Sequence, residues 1–586
     1  MKTRNVLLVY PEFDTSFWSF KYALQYVGKK SSMPPLGLLT LAGMFPEGYN
    51  LRLIDMNVRA LRNQDLQWAD LICTSTMIVQ RRSLADVIAR AKQVGKPIVA
   101  GGPHPTSYWQ EDELKEVDYL LLGEAEEIFS GFLADLEHGV ARHIYTPKER
   151  PAITKAPLPR YDLINMRHYS SALLQFSRGC PFDCEFCDIT KLYGRIPRTK
   201  TNEQILAEFQ LLYDLGYRGS LFLVDDNFIG NRRDALRFLK ALTPWQEKLK
   251  FPYGIHTEAS MNLVEYPELM DAMVAAGFNK VFVGIETPTP EALIVTKKKQ
   301  NVGKTDPEYP LHAVQTLQSK GLEVMGGFIL GLDGEKSNVF DLHIEFIARA
   351  AIPIAMEGLL TALKGTDLYF RLEREERLRG DTTGTSISTH LNFIPEMPED
   401  VLVAGYKHVL NTIYDLKLEK YFERCWTLFQ QLDRSKNPKT DSNHLGFAAV
   451  MRFFLATARQ IASPQGPAYV RFLSRVIAQK PALWREAFAF GAKGYHFRKV
   501  TEQVVAVDNF KQHLTQMSKH LREELTKHAK NNNARARAYA AEITLHVQRE
   551  YARIHKDFQH NAESARAAFL KFLETALKEK EYELTC

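Results

Sequence analysis

Between residue 5 and about residue 140, short aliphatic runs at 6–10, 51–55, 71–75, 97–100 and 119–122 alternate with stretches of helical period. Strands this apolar, joined by helix-length connections, predict a doubly wound parallel sheet covered on both faces. In such sheets a ligand collects beyond the carboxyl ends of the strands. Those ends read Pro11-Glu12, Asp55-Met56-Asn57, Ser75-Thr76-Met77, Gly101-Gly102-Pro103-His104 and Gly123-Glu124. Their small and polar residues let a large ligand reach the backbone.

The pattern breaks over 141–170, where Pro147, Pro151, Pro157 and Pro159 remove backbone donors too often for a helix or an inner strand. A linker is predicted there. Alternation resumes at 173–177, 220–224, 252–257, 280–285, 323–330 and 354–360. Six βα units fit a partial (β/α)6 barrel, open on one side, with its site at the strands' carboxyl ends. Beyond residue 400 the strand signal fades, and 401–432, 443–463, 467–500 and 506–582 read as helices, with a break at Asn531-Asn532-Asn533. The expected α/β organisation is therefore 1–140, a linker at 141–170, a barrel at 171–400 and a helical region at 401–586.

With 586 residues, 45% hydrophobic and 25% charged, the composition is that of a soluble chain of several domains. No apolar run approaches the roughly 18 to 20 residues that span a bilayer. The first ten residues lead from charge into a strand without a cleavage-like segment, so a cytoplasmic location is expected. A net charge of +6 is modest, and no run of basic residues interleaved with aromatics points to nucleic acid.

The chemistry is concentrated in Phe176-Ser-Arg-Gly-Cys-Pro-Phe-Asp-Cys-Glu-Phe-Cys-Asp-Ile189. Cys180, Cys184 and Cys187 can reach three corners of a cubane cluster and leave the fourth iron without a protein ligand. Structural zinc usually needs four ligands, and Cys73, Cys425 and Cys586 are scattered singly. Six cysteines in a reducing compartment also argue against disulfides. Cys73 and Cys425 then read as buried small residues, and Cys586 as a tail thiol.

This CxxxCxxC, with an aromatic residue before its last cysteine, resembles the radical S-adenosylmethionine (SAM) superfamily. Ahead of it, Met33-Pro34-Pro35-Leu36-Gly37, Gly101-Gly102-Pro103 and Gly123-Glu124 resemble the cobalamin-binding domain of B12-dependent radical SAM proteins. The segments at 185–189, 192–195, 224–233, 284–288 and 329–333 are similar to the hopanoid C-2 methylase group, over roughly residues 5 to 430.

The resemblance implies a [4Fe-4S] cluster on the three cysteines. It places SAM against Asp225 or Asp226, Glu258, Glu286, Gly327 and Gly331, and cobalamin against Ser75, Thr76, Gly101, Gly102, Gly123 and Glu124. Plainer readings stand beside these: Asn231 or a neighbouring Asp as a helix cap, Glu258 and Glu286 as ion-pair partners of a Lys or Arg, and the glycines as turns. Arg178 reads either as an outer contact of the cluster or SAM, or as a surface residue; Tyr193-Gly194-Arg195 belongs to the same local pattern. One departure stands out. The Asp-x-His-x-x-Gly motif that ligates cobalt in many B12 proteins is replaced by Asp55-Met-Asn-Val-Arg-Ala60, so no histidine of that motif is expected on cobalt, and His104, beside two prolines and expected in a loop, reads either as a substitute ligand or as a simply hydrogen-bonded histidine.

The activity so implied is methylation of an unactivated carbon of a small molecule or lipid, with an oxidoreductase or cyclase as the alternative. The implied partner is a reductant such as flavodoxin or ferredoxin. For the C-terminal helices the readings are a cap over the site or peripheral contact with a membrane.

Overall fold

Parallel strand pairing organises two sheets in the computed structural model, which describes residues 4–380, 382, 384, 385, 387–439, 447–529 and 533–583. The first sheet comprises β1 (Arg4–Tyr10), β2 (Tyr49–Asp55), β3 (Leu71–Ser75), β4 (Ile98–Gly101), β5 (Tyr119–Leu121) and β6 (Ile144–Tyr145), in the order β2-β1-β3-β4-β5-β6. Alternate residues of β1 feed opposite cores. Leu7 and Val9 pack with Leu66, Leu84 and Val87, whereas Val6 and Leu8 pack with Leu38, Phe129 and Phe132. Burial of both faces explains the apolar runs.

The strand β6 lies inside the stretch expected to be only a linker. Its two residues precede the first of the four prolines, so it can pair along the outer edge of β5, where Leu122 N–H donates to the Tyr145 carbonyl at 2.9 Å.

The second sheet runs β7 (Ser171–Leu174), β10 (Gly219–Leu223), β11 (Tyr253–Glu258), β12 (Phe278–Glu286), β13 (Glu323–Leu330) and β14 (Ala355–Leu359), all parallel, with β7 and β14 at its two edges. The barrel stays open. Tyr253, Ile255 and Thr257 of β11 are buried beneath the outer helices, while the alternate residues Gly254, His256 and Glu258 are only partly covered and line the interior. The first barrel strand ends three residues sooner than expected. Asp225 accepts the amides of Phe176 at 2.8 Å and Ser177 at 3.0 Å, in place of a strand neighbour, and the chain turns into a separate hairpin of β8 (Ser177–Arg178) and β9 (Arg198–Thr199).

Helices follow at Glu399–Ile413, Glu419–Gln431, Phe447–Ile461, Gly466–Gln479, Trp484–Ala529, Asn533–Arg553 and Lys556–Glu583. The expected helix at 401–432 is split. Asp415 accepts the Glu419 and Lys420 amides and so starts a new helix. The break expected between 500 and 506 is absent, because Trp484–Ala529 runs through it and no proline or glycine interrupts 501–505. Pro481 breaks the chain earlier instead, at the short turn Pro481–Leu483. The expected interruption near Asn531 and the tail thiol Cys586 fall largely outside the described residues; helices end at Ala529 and restart at Asn533.

The helical region packs against the turn Phe17–Ser19. Phe17 sits within 6.1 Å of the Tyr414 ring and 5.9 Å of the Phe497 ring, and its carbonyl lies 3.1 Å from His496 Nε2. Next to it, Trp18 reaches the barrel interior, 4.8 Å from the ring of Phe282.

Candidate active site

The cysteine loop is shaped by Gly179, whose φ of +99° belongs to the left-handed region and whose added Cβ would lie 2.9 Å from the Gly194 carbonyl. Its amide donates to Asp226 at 2.7 Å, and the Cys180 amide donates to the Gly194 carbonyl at 3.1 Å. All three cysteines are free thiols. Among the described residues, the one triad of Cys, His or carboxylate ligands whose atoms lie within 4.8 Å of one another is His104, Glu111 and Glu113, where the Arg81 guanidinium already pairs with both carboxylates. The sulfurs of Cys180, Cys184 and Cys187 do not form so tight a triad.

Side-chain amides point at two of the sulfurs. Asn227 Nδ2 donates toward Cys180 at 3.8 Å, and Gln300 Nε2 toward Cys184 at 3.4 Å. Lys298 is buried beside them and bonds Glu286 at 2.8 Å. Burial works against its charge, but Glu286 and the sulfurs of Cys184 and Cys187 outweigh that and hold its pKa above the ordinary value. A permanent cation beside three thiolates suits a negatively charged cluster.

The strand-end carboxylates separate into different roles. Asp225 is 1% exposed and accepts from the Phe176 and Ser177 amides and the Ser177 hydroxyl, so its oxygens hold the approach to the loop. Asp226 holds Gly179, and burial with the neighbouring Asp225 carries its pKa up to about 7. Burial, then Asp226 and Asp225, raise Glu258 to about 8. Glu286 sits at a bulge with φ of +68°, which turns it toward Lys298. It is an ion-pair partner, the plainer of its two readings. Asn231 caps the helix Arg232–Lys248 through the Asp234 amide, as expected.

Two acids that titrate near neutrality, because burial and their mutual repulsion outweigh the attraction of Arg178 and Lys298, fit a cationic ligand. Glu258 has a folded pKa above its unfolded value of about 4.3, so the protein freed of cofactors is expected to lose stability as pH rises from about 5 to about 8. Melting curves across that range should show a smaller loss for Glu258→Gln; an equal loss would mean that Glu258 is not strained by its charge.

The glycines differ too. A Cβ on Gly327 would stand 2.8 Å from the Phe282 ring in the barrel interior, whereas on Gly331, at φ of +93°, it would meet Leu402 at 2.8 Å. The position of Gly331 is thus accounted for by backbone and packing, not by space for a ligand.

In the first sheet the chain order reverses between β1 and β3, and Pro11, Glu12, Ser75 and Thr76 flank the crevice there. Thr76 Oγ1 and His104 Nδ1 are buried without a hydrogen-bond partner, which fits a polar ligand at this end. His104 lies on the helix Pro103–Tyr108 and not in a loop, since Pro103 takes the first helical position. Its Nε2 faces Glu111 at 3.4 Å. Gly102 has φ of +94°, and a Cβ there would lie 2.7 Å from Ser75 Oγ and 2.9 Å from the Thr76 backbone. Gly102→Ala is expected to destabilise the fold by about 2 kcal/mol or more, measured by denaturant unfolding. Gly101 is fitted against the Leu121 carbonyl and Gly123 against Pro147, so local packing explains both.

Family comparison agrees with this division. Residues 29–133 match the B12 binding domain, 174–347 the radical SAM superfamily, and 366–509 a domain of unknown function, DUF4070. The chain is 42% identical to an uncharacterised methyltransferase of Synechocystis sp., over 74% of this chain and 80% of that one. It is 37% identical to the hopanoid C-2 methylase of Rhodopseudomonas palustris, over 70% of this chain and 77% of that one. The chain belongs to the B12-binding radical SAM methyltransferases. Its fold is also that of TsrM from Kitasatospora setae, solved with cobalamin and a [4Fe-4S] cluster, at a TM-score of 0.51 and 15% identity over 86% of this chain and all of that one.

The cofactors of this methyltransferase are a [4Fe-4S] cluster, SAM and cobalamin. When bound, the cluster supplies the electron that cleaves SAM to a 5′-deoxyadenosyl radical, and cobalamin supplies a carrier for the methyl group. The protein's own groups fit that task. Cys180, Cys184 and Cys187 would hold the cluster with one coordination site left for SAM, Asn227 and Gln300 would donate toward the sulfurs, and a cationic ligand would favour the ionised forms of Asp226 and Glu258.

A junction that the sequence did not disclose ties the two cofactor domains of the methyltransferase together. Glu124, expected to touch cobalamin, instead bonds Arg178 at 2.8 Å and Arg198 at 2.8 Å. Arg178 also bonds Glu126 at 2.7 Å and Gln175 at 2.8 Å, and is buried rather than at the surface. Its position directly before Gly179-Cys180 links the first sheet to the cluster loop. Lys298, Gln300, Arg198 and Trp18 also escaped sequence reading. Lys298 stands in Lys297-Lys298-Lys299, a run whose local pattern signals solvated charge.

Proposed function

We propose that this methyltransferase transfers a methyl group to an unactivated carbon of an apolar, lipid-like small molecule, using electrons from a flavodoxin- or ferredoxin-type reductant. The observation that carries this reading is the lining of the open barrel. Phe282, Met325 and Ile329 are partly uncovered on its inner strands, and Trp18 meets Phe282 from the first domain. Such a wall receives an apolar body and keeps water from a radical. The 37% identity to a hopanoid methylase supports the same substrate class.

The test is an anaerobic assay with methyl-labelled SAM, a reducing system and a lipid extract from the source cells. Label in an extractable lipid, with 5′-deoxyadenosine, methionine and S-adenosylhomocysteine as co-products, is the expected result. Formation of 5′-deoxyadenosine with an altered but unlabelled lipid would replace this reading with that of an oxidoreductase or cyclase.

A further inference from the structure

One cross-strand row inside the barrel carries cations that the proposed chemistry does not use. Phe222 of β10, His256 of β11, Lys280 of β12 and Glu323 of β13 stand opposite one another in the parallel register. The next row toward the carboxyl ends is Glu258, Phe282 and Met325. Successive rows on one face are two residues apart, about 7 Å.

Two further cations reach this row from outside the sheet. Lys280 pairs with Glu323 at 3.3 Å, while Arg434 and Lys493, the latter on the helix Trp484–Ala529, lie 3.7 and 3.9 Å from the same carboxylate. Arg434 has other partners: it donates to the Asn279 and Gly321 carbonyls at 3.0 and 3.2 Å, and it feels the charge of Glu486. Among the described residues, Glu323 is the one ion-pair partner of both Lys280 and Lys493. One carboxylate cannot neutralise two ammonium groups. Burial and the adjacent Lys280 push Lys493 down to about 7, and burial with the same two lysines pushes His256 down to about 3, so that imidazole is neutral and does not add to the charge. Nor is the cluster sealed: the Lys280 and Lys493 side chains are 29% and 19% exposed, and Ser220, whose hydroxyl lies 3.5 Å from His256 Nδ1, is exposed as well. A structural ion pair would need only one of the lysines. A second becomes favourable when an anion joins them.

We propose that Lys280 and Lys493 bind the anionic end, a carboxylate or a phosphate, of the substrate, whose apolar body lies against Phe282 and Met325. This inference rests on the reading of the barrel as an apolar substrate site and adds an orientation to it. The charged end sits at the Lys280 row, and Gly284 and Gly327 stand two rows, about 13 Å, nearer the carboxyl ends.

The experiment is titration calorimetry of the reconstituted full-length protein at pH 7 with decanoate, decyl phosphate and 1-decanol. Wild type should bind at least one of the two anions about tenfold or more tightly than the alcohol, and the better anion names the end group. Lys280→Met/Lys493→Met, and the milder single variants Lys280→Gln and Lys493→Gln, should weaken the anion and leave decanol binding unchanged, which also shows that the variants are folded. Equal affinity of wild type for anion and alcohol, or an anion preference that the variants keep, would overturn the proposal and leave the apolar reading standing. Binding of none of the three would overturn the apolar reading, and this proposal with it.

Discussion

Replacing Cys184 and Cys187 together by alanine is expected to strip the iron from the reconstituted protein and to leave its cobalamin in place. One remaining thiolate, Cys180, cannot hold a cubane that needs three, and the lost ligands belong to a loop that lies beyond the last strand of the first sheet, which ends at Tyr145. SAM cleavage should fall by about three orders of magnitude or more, because no protein side chain supplies an electron at the required potential. Iron and cobalt analysis, the visible spectrum and 5′-deoxyadenosine formation read the three effects separately. Iron lost and cobalt kept would establish two independent cofactor sites. Loss of both would mean that the cluster loop helps to build the cobalamin site, and retained iron would remove the cysteines from their assigned role.

Arg178→Met should destabilise the protein by about 3 to 5 kcal/mol, the range found when one partner of a buried ion pair is removed. The Glu126 and Glu124 side chains are 3% and 4% exposed, and without Arg178 the first keeps no ion-pair partner among the described residues while the second keeps Arg198. Arg178→Lys should lie between, since a single ammonium cannot reproduce a guanidinium that meets Gln175, Glu124 and Glu126 at once. Denaturant unfolding measures the loss. Recovery of part of it in Arg178→Met/Glu126→Gln would assign the penalty to an unpaired buried carboxylate; no recovery would assign it to lost packing of the arginine stem. Iron retention should fall as well, because Gly179 and Cys180 follow Arg178 directly.

Much of this architecture was legible locally. Strands with both faces covered must be apolar throughout, and that run is visible without knowing its neighbours; every strand of both sheets except β6 and the small hairpin β8–β9 was expected close to its observed place. Helix ends were less legible. Whether a long helical pattern divides depends on single residues such as Asp415 and Pro481, and the stretch 501–505 carries no breaker to stop Trp484–Ala529. At the site, the residue types at the strand ends were visible, but their division was not. Asp225 and Asp226 are adjacent and chemically identical, and only the turn into the cluster loop gives one to the backbone of Phe176 and Ser177 and the other to Gly179.

By itself the sequence placed Cys180, Cys184 and Cys187 within eight residues of one another, the spacing from which a cluster site is proposed, and it determined the parallel strand units, because their apolar runs are a local record of burial. Only the tertiary structure decided that Glu124 joins two domains through Arg178 and Arg198, that Lys298 lies beside the cysteines, and that Trp18 enters the barrel. Each of these depends on which surface meets which across tens or hundreds of residues. Periodicity reports that a helix has an apolar face and composition reports that a lysine is charged; neither says on which side the rest of the chain will lie.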